Sequence, residues 1–170
     1  MAKVLERSLY ETDYYAWTRE QAAALRSMAA ARIDAKLDLE NLAEEVESLG
    51  RSDLNTVRSR VRRIIEHLLK LEHSPASEPR IDWRGSVAHA RDEVEDHITA
   101  SMFADVAADL DKLFGRARRD AASRLIKHGE HEAAKALPQA CPFGFEQIVD
   151  QEWYPANRHG LVDPTDGRPP

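Results

Sequence analysis

At 170 residues the chain suits one domain, with a core that takes about two thirds of the unfolded surface out of water. Hydrophobic content of 42 % beside 32 % charged residues is that of a soluble, helix-rich protein, and a net charge of −6 argues against a dedicated nucleic-acid binder. The one cysteine, Cys141, excludes an internal disulfide and a multi-cysteine zinc site.

The opening MAKVLERSLYETDYY lacks the apolar core of a signal peptide, and no uncharged run approaches the roughly 20 apolar residues of a spanning helix. The expectation is a cytoplasmic protein with no membrane partner. Residues 1–11 read as loose or lightly docked. Thr12 or Asp13 caps a first helix through Tyr14, Trp17, Leu25 and Met28, and Thr18 with Gln21 matches a capping-box spacing further in. Alanines 22–24 and 29–31 favour helix throughout.

Asp34 or Asp38 caps the next segment, whose apolar residues are Leu39, Leu42, Val46 and Leu49. It carries Asp38, Glu40, Glu44, Glu45 and Glu47 and no base. Gly50 stands where a helix commonly ends. Ser52 or Asp53 then caps a basic segment with Arg51, Arg58, Arg60, Arg62, Arg63 and Lys70 against Asp53 and Glu66. Its apolar stripe is Val57, Val61, Ile64, Leu68 and Leu71, and it stops near His73, before Pro75 and Pro79. The acidic and basic helices are expected to lie side by side, neutralise each other and leave no pocket.

A fourth helical region starts near Asp82 with Val87, Val94 and Ile98. It continues, with a break near Ser101, through Phe103, Val106, Leu110, Leu113, Ala117, Ala121 and Leu125 to Gly129. A short helix covers 130–136. The segment LPQACPFGFEQIVDQEWYP mixes prolines with aromatic residues, as an ordered strap on a bundle would. The fold class is all-α: a small bundle of about four main helices, short added helices and an aromatic C-terminal strap. The domain spans 9–155, and 156–170 reads as a flexible tail.

Four stretches carry a family resemblance: LYETDYYAWTREQAAALR, DLENLAEEVESLGRS with HLLK, the tryptophan of IDWRGSV, and PQACPFGFEQIVDQEWYP. Over about Leu9 to Pro155 the chain resembles the bacterial family known as domain of unknown function 29. The resemblance implies an intracellular all-helical bundle and neither an established activity nor catalytic residues. The chain departs from the pattern in a longer MAAARIDAK and in a loose match over Arg116–Lys135.

Glu40, Glu44 and Glu47 form one row that, with His67 from a facing helix, would make a carboxylate–histidine metal site. At 100° per residue, however, Glu44 falls opposite the Leu39–Leu49 stripe, and the paired Glu-x-x-His motif of ferritin-like bundles is missing. The simpler reading makes Glu40, Glu45 and Glu47 ion-pair partners of Arg60 and Arg63, with no cofactor. A sharper reading uses Arg60, Arg63 and His67 as a catalytic set. Arg60 or Arg62 followed by His67 fits the arginine–histidine spacing of HEPN-type ribonucleases, and so does Arg84 with His89. Cys141 reads as a packed small side chain, the remaining histidines as solvated, and the Arg116–Lys127 run as a solvated helix face.

No phosphate loop, nucleophile elbow or Cys/His cluster is present in the sequence. The leading expectation is a non-enzymatic module that contacts another protein or a second copy of itself. The alternative is a HEPN-like ribonuclease or metal-binding bundle built on Arg60, Arg63, His67 and the acidic helix.

Overall fold

A computed structural model describes residues 8–32 and 36–162. The cap expected of Asp34 and the end of the tail lie outside them. Among the described residues there is no strand, and the chain forms α1 (Leu9–Thr12), α2 (Tyr14–Ala30), α3 (Leu39–His73), α4 (Arg80–His97), α5 (Ala100–Ala108), α6 (Leu110–Lys127), α7 (His131–Lys135) and α8 (Phe145–Val149). The all-α expectation holds. No helix among these residues is long and apolar enough to cross a membrane.

The main correction concerns Gly50. It lies inside α3, which runs unbroken for 35 residues from Leu39 to His73. The acidic and basic segments are therefore successive lengths of one helix and do not lie side by side. The region after Asp82 also divides differently: α4 begins at Arg80, and breaks at 98–99 and at Asp109 separate α4, α5 and α6.

Two compact units emerge among the described residues, the first comprising 8–32 and 36–57 with 97–106, the second Arg58–Asp96 with 107–162. In the first, Asp13 caps α2 by accepting the Ala16 N–H at 3.0 Å. The same carboxylate accepts the Ser101 N–H at 2.9 Å and the Ser101 hydroxyl at 2.7 Å, so one residue fixes the starts of α2 and α5. Burial pushes its pKa up, but these hydrogen bonds outweigh that and hold it below the usual value. Thr18 lies within α2 and does not cap it; its hydroxyl donates to the Tyr15 carbonyl.

Gly50 is buried against α2. A Cβ there would stand 2.1 Å from Thr18 Oγ1 and 3.2 Å from Tyr15 Cδ2, so the missing side chain sets how closely the helices approach. Ala43 is fully buried about two helical turns earlier, while Leu42 and Leu49 are exposed at 39 % and 52 %. The inward face thus runs through the small residues Ala43 and Gly50, one position away from the leucine stripe read from spacing.

In the second unit the later half of α3 is the core. Ile64, Ile65, Leu68, Leu69 and Leu71 are wholly buried, each about as valuable as any aliphatic side chain taken from water, about 1.5–3 kcal/mol. Arg60 bonds Glu93 of α4 at 2.8 Å and Arg124 of α6 bonds Glu66 at 2.8 Å, which brings α4 and α6 against α3. Gly129, at φ +81, ends α6 as expected: its N–H reaches the Ile126 carbonyl and the Glu130 N–H reaches that of Leu125, the Schellman arrangement.

The strap is held by its backbone. Buried Arg91 donates to the carbonyls of Ile148, Gln147 and Trp153 at 2.9, 3.2 and 2.9 Å and stacks on Tyr154. Residues 157–159, expected to be loose, close the end of α3. Asn157 Nδ2 donates to the Leu71 and Ser74 carbonyls at 2.8 and 2.9 Å, and Arg80 also donates to Leu71. The Arg158 N–H donates to the Glu72 carbonyl, and a ring nitrogen of His159 lies 3.0 Å from that of His73. With Ser74 N–H on Lys70, each of the four last carbonyls of α3 has a partner.

Candidate functional site: a basic cleft on α3, α4 and α6

From Ile64 to Leu71, α3 is buried on all sides, yet it includes Glu66, His67 and Lys70. Polar side chains taken this far from water need partners. Glu66 has two, Lys70 at 3.2 Å and Arg124 at 2.8 Å. Burial depresses the Lys70 pKa against the upward pull of Glu66. His67 has none for Nδ1, which is buried and makes no hydrogen bond, although the residue is only 9 % exposed. Its pKa falls to about 3, first through burial and then through the charges of Lys70, Arg63 and Arg124. The imidazole is neutral at physiological pH.

His67 lines a cleft of about 500 Å³ together with Ser59, Arg60, Arg62, Arg63, Glu66, Lys70, Trp83, Ser86 and Arg124. Five cations face one carboxylate. Arg60 and Arg62 are partly neutralised from outside, by Glu93 at 2.8 Å and Asp120 at 3.7 Å. Arg63 is exposed at the rim and has no carboxylate partner among the described residues. The excess positive charge is gathered in one hollow, in a chain whose net charge is −6. Such a site attracts anions.

The expected catalytic set, Arg60, Arg63 and His67, thus lies on one cleft. The expected ion pairs do not form as read. Glu47 pairs with Arg26 of α2, and Arg51 bonds Glu44 at 2.6 Å, while Arg60 turns to Glu93. Because Glu47 and His67 are twenty residues apart on one helix, about 30 Å of rise separates them, and the set Glu40, Glu44, Glu47, His67 cannot share a metal. Among the described residues no group of three His, Cys, Asp or Glu side chains has ligand geometry. His73, read as solvated, is 1 % exposed. Cys141 is half-buried, its thiol pKa raised by burial.

Glu66, Lys70, Trp83 and Arg124 are functional candidates that spacing did not single out. The available signal was Glu66, His67 and Lys70 interrupting the most apolar run of the chain. A helix face that needs burial and contains three ionisable groups has to pair them or use them.

A family model described as domain of unknown function, DUF29, matches residues 9–154. The chain belongs to the DUF29 family. This DUF29 chain is also similar to a solved structure, an α-helical protein of unknown function from Rhodospirillum rubrum. The two share 29 % identity, with 87 % of this chain and 93 % of that one covered and a TM-score of 0.76. No curated protein matches this DUF29 member.

Proposed function

We propose that this DUF29 protein binds a phosphate-bearing anion in the cleft formed by α3, α4 and α6. The observation that supports the reading best is the buried, unpartnered Nδ1 of His67 in a hollow lined by five cations. An oxyanion bearing a proton, or His67 itself as Nδ1–H donor, completes that bond, and Arg63 supplies a fork for phosphate oxygens. Cleavage of a phosphodiester would ask more of the same residues. A group whose pKa is about 3 is a poor base near neutrality, so the reading stops at binding.

The test is thermal denaturation with inorganic phosphate or pyrophosphate against sodium chloride of equal ionic strength. Binding stabilises by mass action, about 2.7 kcal/mol at a hundred times Kd. Phosphate is expected to raise Tm where chloride does not. Arg63→Ala is expected to abolish that shift while leaving the ligand-free Tm unchanged or slightly higher, because Arg63 has no partner to lose and repels its neighbours. Equal shifts in phosphate and chloride would overturn the reading.

A second reading, contact with another protein or a second copy, is favoured by the exposure of Leu42 and Leu49, seven residues apart on one face of α3. Concentration-dependent sedimentation that is lost in Leu49→Lys supports it, and a monomer at all concentrations removes the self-association form.

A further inference from the structure

A second hollow adjoins the basic cleft and shares Lys70, Trp83 and Arg124 with it. It measures about 370 Å³, and Pro79, Trp83 and Leu125 give it apolar walls. Both hollows fall in the size range of small-molecule sites. Partly buried Trp83 lines both hollows, with Lys70 Nζ 5.1 Å from the centre of its ring.

Glu130 lines the apolar hollow, and its Oε2 is buried without a hydrogen-bond partner. The residue follows Gly129, and its backbone N–H is tied to the Leu125 carbonyl at 2.8 Å, so its position is set by the end of α6. Three lining atoms are thus buried without hydrogen-bond partners, Arg60 Nε and His67 Nδ1 in the basic cleft and Glu130 Oε2 in the second hollow, which Lys70, Arg124 and His128 also line. Unsatisfied buried acceptors cost stability until a donor arrives.

We infer that the two hollows together take a mononucleotide whose base has adjacent N–H donors on its edge, guanine above the others. The inference rests on the anion-binding reading and adds the base to it. The phosphate lies among Arg63, Lys70 and Arg124. The base lies against Trp83, as bases do on aromatic side chains in single-strand recognition. Its edge faces Glu130. Guanine offers N1–H and the N2 amino group side by side, which a carboxyl group accepts as a pair, whereas adenine and cytosine offer an amino group alone.

Isothermal titration of the full chain with GMP, AMP, ribose 5-phosphate and inorganic phosphate tests this, with circular dichroism confirming that each variant is folded. GMP is expected to bind at least tenfold more tightly than ribose 5-phosphate and more tightly than AMP. Trp83→Leu is expected to remove most of the advantage of GMP over ribose 5-phosphate. Glu130→Gln is expected to reduce the lead of GMP over AMP severalfold. Equal affinity for GMP and ribose 5-phosphate would overturn base recognition and leave the anion cleft standing. Failure of all four compounds to bind overturns both readings, and a GMP lead untouched by Glu130→Gln overturns the edge contact.

Discussion

His67 illustrates how a single side chain couples stability to ligand. Its folded pKa of about 3 lies below the ordinary 6.5, so between those values the unfolded chain takes up a proton that the folded chain refuses. Stability is complete above about pH 6.5 and declines as pH falls towards 3. No carboxylate offsets this: Lys70 and Arg63 on α3 and Arg124 on α6 are all cationic, Trp83 and Ser86 on α4 are neutral, and Glu66 is occupied by Lys70 and Arg124. From pH 6.5 to 4.5 this residue alone removes about 2–3 kcal/mol. His67→Gln, which keeps a neutral polar group and cannot titrate, is expected to flatten the acid limb of a Tm-against-pH curve by that amount. An acid limb unchanged by the substitution would mean that His67 is protonated in the folded protein. A bound phosphate, by contributing negative charge, should also raise the His67 pKa.

At the scale of elements, Gly50 decides the spacing of α2 and α3. In an exposed helix Gly→Ala stabilises by about 1 kcal/mol, whereas overpacking a close contact costs about 1–3 kcal/mol. Gly50→Ala should therefore be neutral to destabilising here, against the helix-propensity trend. In a Thr18→Ala background, where the nearest atom is gone, the same change should become more favourable by about 1 kcal/mol, measured as a double-mutant cycle in urea. Additive effects would show that the approach is not limited by Thr18. The position also marks what could be read from the chain alone. Asp13, Asp38 and Gly129 were legible because a cap is settled by residues three or four away; Asp38, for example, accepts the Asn41 N–H at 3.2 Å. Gly50 follows the same local grammar but obeys a contact with α2 more than thirty residues earlier. The candidate site was half legible for the same reason. Arg60, Arg63 and His67 sit on one helix at helical spacing, while Trp83, Arg124 and Glu130 reach them through the packing of α4 and α6.

Charge is distributed over the whole chain with a direction. Four of the six glutamates of α3 lie in its N-terminal half and four of its five arginines in its C-terminal half, so each sign is concentrated towards the end of the helix where the backbone dipole favours it. This arrangement tolerates a concentration of cations near the end of α3 in a protein that is acidic overall, and attraction of anions to that end should weaken as salt rises. The close of α3 also depends on residues that lie past the family match. The match stops at residue 154, yet the carbonyls of Glu72 and His73 are met by Arg158 and His159, and that of Leu71 by Asn157 as well as Arg80. Removing residues 156–170 is expected to lower stability by about 1–3 kcal/mol, roughly the worth of two or three such bonds, in a denaturant titration. Asn157→Ala should reproduce a third to a half of the loss. A fragment trimmed to the end of the family match would be frayed at its longest helix within a turn of Lys70, and a failed ligand screen on such a fragment would report the trimming and not the cleft.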